Sequence, residues 1–203
     1  MKQATVAYCP QNPDWNSLPR IPIVDQLSKS DSPAEAWAQI CRNDSELIVH
    51  LAARKQELRA EESGPLGAPC KDSCLEFFFS PIVGDLRYFN IECNPAGCLY
   101  VGFGSEPDDH MRLVMKEEQV AEWFHPEITL CEDGWDLVVH VPYKFIRLFF
   151  PEFAPKAGGQ MRANFYNCGD LLAVPHHNLW NPITRSGKMR FHTPAEFGLL
   201  HFE

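Results

Sequence analysis

The sequence predicts an all-β fold, an antiparallel β-sandwich with one or two short helices. Three observations lead there. Seventeen prolines and twelve glycines divide 203 residues into short segments. Several of those segments alternate apolar and polar residues with a period of two, and long helical periodicity is scarce. No internal repeat, low-complexity stretch or linker interrupts the pattern, so one domain over residues 1–203 is expected.

Each element has its own local reason. Ser32-Pro33-Ala34-Glu35 has the form of a capping box with proline at the first helical position, which predicts a helix over AEAWAQIC with Trp37 facing the core. SELIVHLAA (45–53) alternates with Leu47, Val49 and Leu51 on one face. DSCLEFFFSP (72–81) places Leu75, Phe77 and Phe79 on one face and Asp72, Cys74 and Glu76 on the other. RYFNIECNPAGCLYVGFG (87–104) reads as two strands about Asn94-Pro95-Ala96-Gly97. In EITLCEDGWDLVVHVP (127–142), Asp133-Gly134 supplies a positive-φ hairpin turn, after which Trp135, Leu137, Val139 and Val141 share a core face. PYKFIRLFFPE (142–152) is a second helix ended by Pro151. QMRANFYNC (160–168) and EFGLLHFE (196–203) complete the strands.

A chain of this length buries enough surface to fold without covalent staples. Its 45% hydrophobic and 22% charged content is ordinary for a globular protein. The formal charge of -9, with no basic run longer than two residues, speaks against a nucleic-acid partner. No run of about 18 apolar residues is present, so no membrane partner is expected. MKQATVAYCPQNPDW lacks the apolar core of a signal peptide, which predicts a cytoplasmic protein, or a secreted one if a leader has been removed. Eight cysteines are then expected as reduced thiols.

Candidate functional residues lie on the polar faces of three strands. RYFNIEC presents Asn90 and Glu92, MRANFYNC presents Arg162, Asn164 and Tyr166, and DSCLEFFF presents Glu76. Amides, carboxylates, a guanidinium and a phenol can make the paired hydrogen bonds that vicinal sugar hydroxyls require. Lysine, common on a solvated outer face, is absent from all three. The competing structural interpretation is an ion pair between Glu76 and Arg162. The loop VPHHNLWNP (174–182) adds His177, Asn178 and Trp180. Its tryptophan either folds onto the core or offers a stacking platform for a pyranose.

Other chemistries are less well supported. The spacings Cys70 to Cys74 and Cys93 to Cys98 are not those of a zinc ribbon, and adjacent His176 and His177 cannot point the same way in an extended segment. No cofactor is expected; calcium is the metal that the acidic turn with Glu106, Asp108 and Asp109 would take. Glu76 and Glu92 could form a glycoside-cleaving pair if their strands are neighbours. Gly-x-Ser-x-Gly, Walker and His-Glu-x-x-His signatures are absent.

In order along the chain, DSCLEFFFSP, YFNIECNPAG, GWDLVVHVPYKFI, MRANFYNCGD, the WNP loop and FHTPAEFGLLHFE together resemble the family-nine carbohydrate-binding modules, over roughly residues 33 to 203. The resemblance implies a β-sandwich that binds mono- or oligosaccharides without catalysis, often within xylan- or cellulose-degrading systems. It implies that Glu76, the acidic residue of the Asp-Ser-apolar-apolar-Glu strand, hydrogen-bonds sugar hydroxyls. Of the two tryptophans that clamp the sugar in such modules, the first position is held here by Cys70 and the second is assigned to Trp180. Haem-binding relatives of the superfamily would cast Met111 or Met115 with a histidine as axial ligands, with no spacing to support a pair. The leading expectation is a small carbohydrate ligand bound by Glu76, Asn90, Glu92, Arg162, Asn164, Tyr166, His177, Asn178 and Trp180. The alternatives are a glycoside-processing enzyme using Glu76 and Glu92, or a protein-interaction sandwich with no sugar site.

Overall fold

A computed structural model describes residues 1–106, 108–184 and 191–203. Its strands, in chain order, are β1 (Gln3–Tyr8), β2 (Ile21–Pro22), β3 (Asp25–Gln26), β4 (Glu35–Arg42), β5 (Glu46–Arg54), β6 (Cys74–Ser80) and β7 (Tyr88–Cys93). They continue with β8 (Leu99–Gly104), β9 (Met111–Arg112), β10 (Glu127–Cys131), β11 (Gly134–Pro142), β12 (Gln160–Gly169), β13 (His176–Leu179) and β14 (Gly198–Phe202). Two short helices, α1 (Glu117–Phe124) and α2 (Tyr143–Ile146), lie on either side of the β10–β11 hairpin in sequence.

The strands form two halves. One runs β10-β11-β5-β4 and the other β14-β12-β6-β7-β8-β9, with β1 joining them. Residues Gln3 to Val6 of β1 pair in parallel with β14, and Ala7 and Tyr8 pair in parallel with β4. The sheet is therefore mixed, which corrects the purely antiparallel arrangement expected from sequence. Leu47, Val49 and Leu51 from one half and Leu75, Phe77 and Phe79 from the other are all at most 1% exposed and share a single hydrophobic cluster.

Most of the alternating segments form strands as their periodicity requires. Trp135, Leu137, Val139 and Val141 are buried, and β11 pairs along its whole length with β5. Gly134 differs from expectation in its role, since it does not take a positive φ. A Cβ there would stand 2.0 Å from the Ala53 carbonyl oxygen, so glycine is needed for close approach to β5. At the other expected turn Gly97 does have φ 81, while the Asn94 side-chain oxygen accepts from Ala96 N and Cys98 N at 3.0 and 2.9 Å.

The helix expected after Ser32 is a strand. Ser32 Oγ accepts from Ala34 N at 3.3 Å, a tight local turn rather than a helix cap. Ala36, Ala38 and Ile40 of β4 enter the core with a period of two, and β4 pairs with β1, β2 and β5. Eight residues are too few for an isolated helix to withstand that pairing. Trp37, on the opposite face, is half-buried beneath the Arg20 guanidinium, 4.1 Å from its ring centre, instead of in the core. The second expected helix shortens to the four residues of α2.

Candidate functional site

β6 is the strand that builds the site. It lies between β7 and β12, and every residue from Cys74 to Ser80 is buried. Period-two alternation sends Leu75, Phe77 and Phe79 to the shared core, and turns Cys74 and Phe78 to a smaller cluster with Tyr88, Tyr166, Cys168, Phe191 and Phe197. Glu76 lies on that second side. The register sets Glu76 directly opposite Glu92 on β7 and Tyr166 on β12.

Above Glu76 lies a cavity of about 390 Å³. Glu76, Phe78, Glu92 and Cys168 line it from the sheet. Cys70 comes from the short 3-10 turn Pro69–Lys71 that leads into β6. Asp170 and His177 come from either side of the β12–β13 connection, Phe191 and His192 from the approach to β14, and Leu27 and Ser28 from the end of β3. No lysine or arginine is among the described lining residues.

Hydrogen bonds fix these groups. The Cys168 thiol donates to Glu76 Oε1 at 2.6 Å, and Asn90 Nδ2 donates to Glu92 Oε1 at 2.6 Å. His177 Nε2 meets Asp170 Oδ1 at 2.7 Å on the rim. Burial, reinforced by the facing Glu92 carboxyl, holds the Glu76 carboxyl well above the usual carboxylate range. Burial also raises Glu92, against the pull of its Asn90 hydrogen bond and the Arg112 charge. Burial with a neighbouring His110 pushes His192 down to about 3, so its imidazole is neutral, with Nδ1 2.5 Å from the Tyr88 hydroxyl. The floor thus offers carboxyl groups able to donate as well as accept, beside the flat apolar faces of Phe78 and Phe191.

Of the residues expected from sequence, Glu76, Glu92 and His177 meet in this cavity. Asn90 supports it from behind by orienting Glu92. Tyr166 supports a wall: its ring stacks on Phe191 with centres 4.0 Å apart, and its hydroxyl donates to the Phe191 carbonyl at 3.1 Å. The remaining four stand elsewhere. Arg162 is opposite Ser80, four residues and about 13 Å along the strand from Glu76. It donates to the carbonyls of Ala195 and Phe197, both at 3.2 Å, and does not orient Glu76. Asn164 is wholly buried, where Nδ2 donates to Asn181 O at 2.9 Å and Oδ1 accepts from Asn181 N at 2.8 Å. It ties the WNP loop to β12. Asn178 lines a separate hollow beside Trp37.

Trp180 is 3% exposed, with its ring 5.6 Å from that of Phe165 in the main core. It is a core residue, because β13 pairs with β12 and Trp180 N then donates to the Phe165 carbonyl at 3.0 Å, which sets its ring in the main cluster. The aromatic wall comes instead from Phe191, which sequence reading missed along with Phe78 and Asp170. Phe191 thus stands on the cavity wall where the resemblance had assigned Trp180. Cys70, at the first clamp position, does line the cavity. In the acidic turn, Asp109 accepts from Ser105 N, Ser105 Oγ and Glu106 N, and so caps its own loop. All eight cysteines are free thiols.

A curled β-sandwich with a carboxyl-floored hollow of this size and an aromatic on its wall defines a small-ligand binding module. Residues 14–202 match the family model for carbohydrate-binding family 9, and the chain belongs to that family. A candidate carbohydrate-binding protein from Bacteroides uniformis is similar at 32% identity and a TM-score of 0.81, covering 100% of this chain and 99% of its own. A family 9 carbohydrate-binding module from Caldicellulosiruptor kristjanssonii shares the fold at a TM-score of 0.68. Its complex with glucose matches at 14% identity, covering 100% of this chain and 96% of its own. Its complex with cellotriose matches at 13%, covering 100% and 94%. No curated relative matches the chain.

Proposed function

We propose that the chain binds a mono- or oligosaccharide in the cavity above Glu76 and Glu92 and releases it unchanged. The observation that carries this reading is the pairing, in one open hollow, of a hydrogen-bonding carboxyl floor with the ring of Phe191. Glu76 and Asp170 would engage hydroxyls, Glu92 would be held in place by Asn90, and Phe191 would stack on the C–H face of the sugar. Cys70 in place of a second aromatic makes the clamp one-sided. Xylan- and cellulose-derived sugars are the class to try first, given that the related module forms complexes with glucose and cellotriose.

Glycoside cleavage is less well supported by the geometry. It requires carboxyl groups on both sides of the scissile bond. Glu76 and Glu92 are cross-strand partners on the same wall, so both meet a ligand from one side. Calorimetric titration with glucose, cellobiose, cellotriose and xylobiose, alongside turnover assays on aryl glycosides, tests the proposal. Saturable binding without product supports it. Silence across a broad glycan array, or hydrolysis abolished by Glu76→Gln, removes it.

A further inference from the structure

The floor of the cavity contains a set of metal-type donors of which sugar binding would use only Glu76. Cys74 on β6 and Cys168 on β12 are direct cross-strand partners, and Glu76 follows two residues after Cys74 on the same face. The two sulfurs and a Glu76 carboxylate oxygen all lie within 4.8 Å of one another, and all three residues are at most 2% exposed. We propose that Cys74, Cys168 and Glu76 bind one thiophilic divalent cation of the zinc class, with a fourth coordination position open to the cavity.

Two sulfurs with one carboxylate favour zinc-like cations over calcium or magnesium, which take oxygen shells. Tetrahedral zinc, with bonds of about 2.3 Å to sulfur and about 2.0–2.2 Å to oxygen, sets donor separations of roughly 3.5–3.8 Å. No two of the donors are more than 4.8 Å apart, and Cys168 Sγ stands 2.6 Å from Glu76 Oε1, so modest side-chain rotations on paired strands can form the site. The surroundings agree. Glu92 and Asp170 line the same cavity, and no lysine or arginine is among its described lining residues. Cys70, also on the wall, or a water would complete the shell. Binding forms two metal–sulfur bonds and one metal–oxygen bond, releases to solvent the protons those groups carry, and oxidises nothing. The donors come from two strands, with Cys168 and Glu76 92 positions apart, so no short cysteine motif announces them.

The test uses metal alone and is therefore independent of whether a sugar binds. Reduced, chelator-treated protein is titrated with Zn(II) by calorimetry and with Cd(II) by ultraviolet absorption. One cation per chain is expected, with a thiolate-to-cadmium charge-transfer band. Cys74→Ser and Cys168→Ser should each diminish that band and weaken Zn(II) binding at least about 100-fold, whereas Cys131→Ser, on β10, should change neither. Circular dichroism checks that each variant is folded, and Cys→Ala at the same position replaces any serine variant that is not. The proposal is overturned by absence of stoichiometric binding, by a band that survives in both serine variants, or by a Cys74–Cys168 disulfide in the protein as isolated.

Discussion

Replacing Phe191 by leucine separates a wall of the site from the core beneath it. The residue is 9% exposed, and its ring is backed face-on by Tyr166 with centres 4.0 Å apart, so a ligand meets a fixed, flat surface. Leucine keeps the side chain apolar but removes the plane. Loss of aromatic stacking costs about 0.5–1.5 kcal/mol, and at most about 20 Å² less apolar contact with the sugar costs about 0.5 kcal/mol more. The sum, roughly 1–2 kcal/mol, corresponds to about a 5- to 30-fold rise in Kd. Titration calorimetry with the tightest sugar of the panel measures it, and thermal melting follows stability. Trp180→Phe is the matched control. It cuts into the main core and should lower the Tm while leaving affinity per folded molecule within about twofold. The reverse pattern, with Trp180→Phe weakening binding and Phe191→Leu leaving it intact, would refute the assignment of the aromatic wall.

Cys70→Trp should restore an aromatic at the first clamp position and tighten sugar binding by about 0.5–1.5 kcal/mol, or roughly 2- to 13-fold, in the same titration. Gly134→Ala forces a methyl against the Ala53 carbonyl and should destabilise the chain by about 1–3 kcal/mol, read from urea melts. Asp136 is raised by burial, but hydrogen bonds from His50, Cys131 and Arg54 outweigh this and hold it at about 2. A depressed carboxylate contributes stability that is present above its unfolded value of about 3.9 and lost as pH falls through about 2. After allowance for solvent screening the contribution is about 1 kcal/mol. Urea midpoints measured from pH 5 to pH 2 should fall less steeply for Asp136→Asn than for the wild type; equal slopes would deny Asp136 that role.

The parts of this fold that could be read in advance are those whose signal is local. The alternation in 45–53, 72–81, 87–104, 127–142 and 160–168 survives because each strand has one face against the shared core. The parallel pairing of β1 with β14 joins residues almost 200 apart, and no local pattern encodes it. The same holds for β4, where Ser32 and the alanines suggest a helix and three partner strands decide otherwise. Helix α1 went unread, although the Gln119 side chain accepts from Lys116 N at its start. At the site, alternation placed Glu76 and Glu92 on one face, and the register made them neighbours. It could not say how far along β12 a polar residue stands, which is why Arg162 misses Glu76. Polarity of a loop likewise says nothing about where its tryptophan packs, and Phe191 sits in a segment with no periodicity to mark it.

The way β1 lies against β14 also determines how the chain answers force. Because the two run in the same direction, with Gln3 beside Leu199 and Val6 beside Phe202, tension applied at the opposite ends of this pair loads its backbone bonds together, in shear. They must then break as a set rather than one after another from an edge. The β1–β14 pair would therefore hold under loads that peel an antiparallel hairpin open.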